Sequence, residues 1–301
     1  MKIVQFESER RAGVGYLEEG RVIDFSRAAA MTASLLPSGA DVPPWVFKHV
    51  QDLVDGGIFD LLTFRMVRAF IEAHGFQEEL AIEDARLVAP LPRPPKIIAL
   101  GLNYAAHARE TGKEPPKEPI FFMKAPTAVI GPGQPVVIPR GVGRVDPEIE
   151  LALIIGKRGR NIARRKAADH IAGYTIMNDV TARDMQSRDM AASRPWFLSK
   201  SFDTFAPMGP CITLPDEIGE PAHLGLTLRV NGEVRQQSNT RDLIFGIPEL
   251  IHRLSRYITL EPGDVIATGT PSGIAPIQPG DVMEAEIESI GVLRNPVVAG
   301  K

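Results

Sequence analysis

The sequence predicts an α+β fold, a mixed β-sheet rolled on itself and preceded by a small N-terminal α+β domain. Two observations carry this. Strand-like segments outnumber helical ones and do not alternate regularly with them, which argues against a doubly wound sheet. A proline-rich stretch, Ala89-Pro-Leu-Pro-Arg-Pro-Pro95, also divides the chain. Prolines this dense exclude regular helix or a central strand and mark a connector. The expected division is 1–88 and 89–301.

In the first unit, Met1–Phe6, Gly13–Leu17 and Arg21–Phe25 read as short strands, with a turn at Glu18-Glu-Gly-Arg21. Trp45–Asp55 and Phe59–His74 show helical apolar spacing, the latter through Leu61, Leu62, Phe64, Met66, Val67 and Phe70. Ala81–Val88 reads as extended. In the second unit, Lys96–Leu100 is a buried strand ending at Gly101, and Tyr104–Glu110 one or two helical turns. Further strands are expected at Leu151–Ile155, Tyr174–Met177, Leu226–Val230, Asp264–Thr268 and Asp281–Ile287. Asn231-Gly232 is a hairpin signal. Ile247–Tyr257 reads as an amphipathic helix with Leu250, Ile251, Leu254 and Tyr257 on its apolar side.

A chain of 301 residues with 44% hydrophobic content can bury a large core. Its formal charge of −3 gives no reason to expect a nucleic-acid or membrane surface. The basic cluster Lys157–Lys166 reads as a solvated turn. One cysteine, Cys211, excludes an intrachain disulfide and a cysteine-based zinc site; its setting is that of a buried thiol in a strand. No apolar stretch is long enough to span a bilayer and no signal-peptide pattern opens the chain, so the simplest expectation is a soluble cytoplasmic protein.

Three carboxylates dominate. Glu148 and Glu150 stand two apart at the head of the run Leu151–Ile155, so as strand residues they share one face. Asp179 ends a second apolar segment, Ile171–Met177. Three hard oxygen ligands from two adjacent strands suit Mg²⁺ or Mn²⁺. The plainer reading is an exposed strand edge and a turn former.

Other groups can serve such a centre. On a helix, His107 and Glu110 are three apart and share a face, and a carboxylate beside an imidazole orients and activates a general base. Lys200 is one cation among apolar residues in Trp196–Phe205, suited to a substrate carboxylate or enolate. Arg183 and Gln186 follow Asp179 closely and offer donors to a carboxylate or keto oxygen, while Thr181 can cap a helix there. The Gly-rich turn after Ile266 can bring backbone N–H groups and Thr270 to an anion, but lacks the phosphate-loop spacing.

Taken together and in this order, Gly101-Leu-Asn-Tyr104 with His107 and Glu110, Phe122-Met-Lys124, Glu148-Ile-Glu150, Asn178–Asp184 with Gln186, Lys200 with Phe202–Phe205, Pro262–Ile266 and Thr268–Pro271 resemble the fumarylacetoacetate hydrolase superfamily from about Lys96 to Val298. The resemblance implies that superfamily's β-roll and a homodimer. It implies Glu148, Glu150 and Asp179 as metal ligands, His107 and Glu110 as a water-activating dyad, Lys200 facing the reacting centre, and Arg183, Gln186 and Thr270 lining the pocket. Pro147 stands where many members carry an aromatic residue. The implied chemistry is metal-dependent C–C bond hydrolysis of an acylpyruvate or related 2,4-diketo acid. The alternatives are oxaloacetate decarboxylation, or isomerisation or dehydration of a hydroxymuconate-like or sugar-derived keto acid; a non-catalytic keto-acid binder is the competing class.

Overall fold

The strand Ile149–Ile155 lies at the centre of the molecule and is buried along its whole length. The computed structural model describes residues 1–32 and 48–300. The strand pairs antiparallel with Ile171–Asn178 on one side and with Val265–Ala267 on the other. From Ile171–Asn178 the sheet runs through Ala206–Thr213, Lys2–Glu7, Ala12–Glu18 and Arg21–Asp24 to Ala81–Ile82. From Val265–Ala267 it runs to Ile97–Gly101, its parallel partner, and then to the edge strand Ile120–Lys124. A second sheet is ordered Glu233–Asn239, Gly225–Val230, Val282–Ile287, Gly291–Ala299 and Val136–Ile138, the last pair parallel. Both sheets are mixed, and among the described residues neither closes into a barrel.

Alternation along the central strand explains its double burial. Ile149, Leu151, Leu153 and Ile155 enter one core with Leu226 and Ala285 of the second sheet and Leu250 of the helix Ile247–Tyr257. Ala152 and Ile154 face the other way, into a core with Phe25, Leu53, Phe64 and Val67. A strand covered on both faces reads as a continuous apolar run, as this one does. Each fully buried Leu or Ile contributes roughly 1.5–3 kcal/mol, so the strand is a rigid platform for what stands at its head.

The N-terminal strands extend the same sheet. Lys2 and Ile3 pair with Thr213 and Ile212, and Arg86–Val88 returns to Lys2–Glu7. The proline-rich connector then leads to Ile97–Gly101, far across that sheet. Two helices here match the expected periodicity in part. Val50–Asp55 is helical, and residues 45–47 of the expected helix lie outside the described residues. Leu61–His74 starts where Asp60 accepts the Thr63 N–H and ends at Gly75 in the left-handed region. Its buried stripe is Thr63, Phe64, Val67 and Ile71, so Leu62, 56% exposed, does not belong to it. An unexpected helix, Phe25–Thr32, follows Asp24, whose Oδ1 accepts the Arg27 N–H at 3.0 Å.

Tyr257 is also corrected. The helix Ile247–Tyr257 buries positions 247, 250, 251 and 254, and Tyr257 at its end is exposed beside Arg256. Thr181 is not a helix cap: it lies in a short strand pairing with Asp146, and its hydroxyl donates to the Asp179 carbonyl. The hairpin at Asn231-Gly232 and the burial of Cys211 match expectation. No described helix is long and apolar enough to cross a membrane.

Candidate functional site

Register brings the acidic residues together. Ile149 pairs with Asn178, so Glu148 and Asp179 come level just beyond the common end of two antiparallel strands. The Asp179 N–H donates to the Glu148 carbonyl at 2.8 Å, and the Asn178 side chain accepts the Glu148 N–H at 2.8 Å. Glu150, two residues along, turns to the same face. One carboxylate oxygen from each of Glu148, Glu150 and Asp179 lies within 4.8 Å of the others, and all three residues are buried.

Three buried acids need compensation. Lys200 Nζ lies 2.9 Å from Glu148 Oε2 and also bonds Asp179 Oδ2. Lys124 Nζ holds the other Asp179 oxygen at 2.6 Å and donates to the Val180 carbonyl. Arg183 bonds Glu148 Oε1, and its Nε reaches Asp146 at 2.8 Å. Burial works against ionisation of Glu148, yet Lys200, Arg183 and His107 outweigh it and hold that carboxyl well below its usual range. Glu150 is the opposite case. Burial, then Asp179 and Glu148, push it well above its usual range. Among the described residues the Gly269 N–H donates to its Oε2 at 2.8 Å, and its Oε1 is buried without a partner. That orphaned oxygen, within an all-oxygen set, fits a hard divalent cation such as Mg²⁺ or Mn²⁺.

The turn after Val265–Ala267 therefore serves the acids rather than a free phosphate. Besides the Gly269 contact, Thr268 Oγ1 donates to the Leu151 carbonyl and Thr270 Oγ1 to the Ile149 carbonyl, each at 2.9 Å. Gln236 ties Thr270, Pro271 and the Ile149 N–H into the same network. Gly269, at φ 96°, takes a conformation that side chains disfavour, and a Cβ there would lie 2.8 Å from Asn103.

Above the acids, Ile97–Gly101 leads into Leu102, at φ 58°, and then Asn103. The Asn103 amide bonds the Thr268 and Phe245 backbones. Anchored by it, the helix Ala105–Glu110 carries His107, whose Nδ1 is 3.1 Å from Glu110 Oε2. The other Glu110 oxygen accepts the Gly273 N–H at 2.9 Å. Both carboxylate oxygens are thus engaged, which holds the imidazole in one orientation. A cavity of about 180 Å³ lies between this helix and the acids. His107, Glu148, Arg183, Gln186, Lys200 and Thr270 line it, and Glu110, Glu150 and Asp179 adjoin it through His107, Glu148 and Lys200 without lining it. Arg183 Nη1 and Gln186 Oε1 are joined at 2.7 Å, one helical turn apart on Arg183–Ala191.

All nine residues singled out in the sequence converge here. Sequence reasoning gave no role to Lys124, Asp146, Asn178, Gln236 or Trp196. Lys124 had a detectable signal, an alternating strand position on a run otherwise apolar. Trp196 had none: it packs on Gly101, where a Cβ would come within 2.8 Å of its ring.

Residues 96–298 match the fumarylacetoacetate (FAA) hydrolase C-terminal family, a span that includes every residue of the site. The chain belongs to this family. A mitochondrial oxaloacetate tautomerase of Xenopus laevis is 43% identical, covering 99% of this chain and 90% of that one. The maleylpyruvate hydrolase of Sphingobium sp. SYK-6, solved with manganese(II) and pyruvate, is 33% identical, with a TM-score of 0.77 and full coverage of both chains. A 5-carboxymethyl-2-hydroxymuconate delta-isomerase of Mycobacterium smegmatis is also 33% identical, with a TM-score of 0.74 and full coverage of both. This family member thus shares its fold with a tautomerase, a hydrolase and an isomerase.

Proposed function

We propose that the protein is a divalent-metal-dependent enzyme that moves a proton at the carbon beside the keto group of a small 2-keto acid, with keto–enol tautomerisation of oxaloacetate as its reaction. The observation that carries this is the His107–Glu110 pair, with His107 on the wall of a small cavity that Glu148 and Lys200 of the acidic cluster also line. The tautomerase relative, similar over 99% of this chain, supports the choice of reaction.

Glu148, Glu150 and Asp179 would hold Mg²⁺ or Mn²⁺, which when bound polarises the keto and carboxylate oxygens of the substrate. His107 takes the proton from the carbon next to the ketone, with Nδ1 on Glu110 and Nε2 left for the substrate. The C–H electron pair becomes the C=C bond of the enol, the C=O π pair moves onto the former keto oxygen, and that oxygen receives the proton back from protonated His107, which regenerates the base. Lys200 stabilises the negative charge on that oxygen as it develops. Arg183 and Gln186 position the substrate carboxylate.

A second reading is C–C bond hydrolysis of an acylpyruvate or related 2,4-diketo acid. It is favoured by the same dyad, which can instead deprotonate water, and by the hydrolase neighbour solved with manganese and pyruvate. Decarboxylation of oxaloacetate needs only the enolate-stabilising half of the site. Incubation with Mg²⁺ or Mn²⁺, oxaloacetate and a set of acylpyruvates separates these. Faster decay of the oxaloacetate enol absorbance without release of CO₂ or pyruvate is expected. Cleavage of an acylpyruvate with no effect on the enol would replace the tautomerase reading by the hydrolase one.

We also propose a homodimer. Exposed Met123 on the edge strand and exposed Phe197, which line one surface groove, with exposed Leu198 next to Phe197 in sequence, offer a surface for a second copy. Light scattering giving a monomer at micromolar concentration would refute it.

A further inference from the structure

Every charged side chain lining the cavity has an opposite charge beside it, except one. His107 has Glu110, and Glu148, Arg183 and Lys200 compensate one another. Lys113 also lines the cavity, and its ammonium has no carboxylate partner among the described residues. Its contacts are soft ones: the Met190 thioether at 3.5 Å and the face of Trp196 at 5.9 Å. Neither neutralises the charge.

The placement of Lys113 is built by the backbone. The helix Ala105–Glu110 ends with Gly112 in the left-handed region, at φ 71°. The Gly112 N–H donates to the Arg109 carbonyl at 3.0 Å, and the Lys113 N–H to the Ala108 carbonyl at 2.9 Å. This is a Schellman termination, which turns the chain back at a fixed angle. The helix that presents His107 therefore also sets Lys113 at the cavity wall.

We infer that Lys113 is a specificity-determining residue that receives the second carboxylate of a dicarboxylic 2-keto acid. The inference rests on the proposed oxaloacetate reading and names the residue that would meet the second carboxylate of that substrate. The keto-acid end goes to the acidic cluster, where Arg183 and Lys200 serve it while also compensating Glu148. A distal carboxylate then meets the one cation still uncommitted. The soft contacts are readily exchanged for a charge-assisted hydrogen bond.

The test uses binding, so it does not depend on turnover. Malate and 2-hydroxybutyrate are four-carbon 2-hydroxy acids that differ by the distal carboxylate. Calorimetric titration of each into the Mg²⁺-loaded full chain at low ionic strength measures the preference. The wild type is expected to favour malate by about tenfold or more, the scale of one charge-assisted hydrogen bond. In Lys113→Met the preference should shrink to within about twofold, while Lys113→Arg keeps most of it. An equal preference in wild type and Lys113→Met, no preference in the wild type, or binding of neither acid would overturn the inference. A protein that shows the Lys113-dependent preference yet does not accelerate tautomerisation upholds it and overturns the tautomerase reading instead.

Discussion

Lys124 and Asp179 form an ion pair with no solvent contact: Nζ lies 2.6 Å from Oδ1 and both side chains are fully buried. The lysine comes from the edge strand Ile120–Lys124, and the aspartate follows the end of Ile171–Asn178. Their contact crosses the site and leaves the second Asp179 oxygen facing Lys200. Removing one partner of a buried pair leaves an uncompensated charge. Lys124→Met is expected to lose about 3–5 kcal/mol of stability, read from denaturant midpoints at an unchanged m-value. Lys124→Arg should not restore it, because a planar guanidinium does not fit a space shaped for an ammonium. A variant as stable as the wild type would show that the pair is not an anchor.

Glu150 has one buried oxygen without a partner among the described residues and a carboxyl held above its ordinary range by burial, Asp179 and Glu148. Glu150→Gln should therefore leave the metal-free protein at least as stable as the wild type. It should also abolish the rise in Tm produced by millimolar Mg²⁺ or Mn²⁺, since ligation stabilises only the state that binds. A metal-dependent rise of equal size in both proteins would remove Glu150 from the ligand set.

His107 and Lys200 touch different steps. His107→Ala is expected to lower kcat by roughly 10²–10⁴-fold, the range for one general base, with metal-induced stabilisation preserved. Lys200→Met should cost roughly 2–4 kcal/mol of barrier stabilisation, mainly in kcat, because charge on the enolate grows toward the transition state. For Lys200→Met, a raised KM at constant kcat would mean that the lysine anchors the ground state only. For His107→Ala, wild-type rates would end its assignment as base.

Tyr16 is a pH probe remote from these residues. Its hydroxyl is buried with no partner among the described residues, and burial, with Glu18, raises its pKa from 10.0 to about 12. The native state thus keeps the proton more tightly than the unfolded chain. The stability this represents is fully present below pH 10 and is lost as pH rises through about 12. Chemical denaturation between these values should show a steeper decline for the wild type than for Tyr16→Phe. Parallel declines would contradict the shift.

The amino-acid sequence alone did not specify the helices Phe25–Thr32 and Arg183–Ala191 or the edge strand Ile120–Lys124. It did specify the central strands, the helices Leu61–His74 and Ile247–Tyr257, the Asn231-Gly232 hairpin and the nine residues that meet at the site. It could do so because each rests on local periodicity or on short motifs. The alternation that buries Leu151 and Leu153 on one face and Ala152 and Ile154 on the other is a period-2 pattern along the chain. Where local pattern misled, the neighbourhood had decided: Leu62 and Tyr257 fit a helical stripe, yet among the described residues no other element buries either. Tertiary structure alone decided how charge is shared among the acids. Register sets Glu148 level with Asp179, the Gly269 turn reaches Glu150, and Lys124 crosses from a strand some 55 positions earlier. Electrostatic compensation depends on distance in space and on exclusion of water, and neither is a property of positions along a chain.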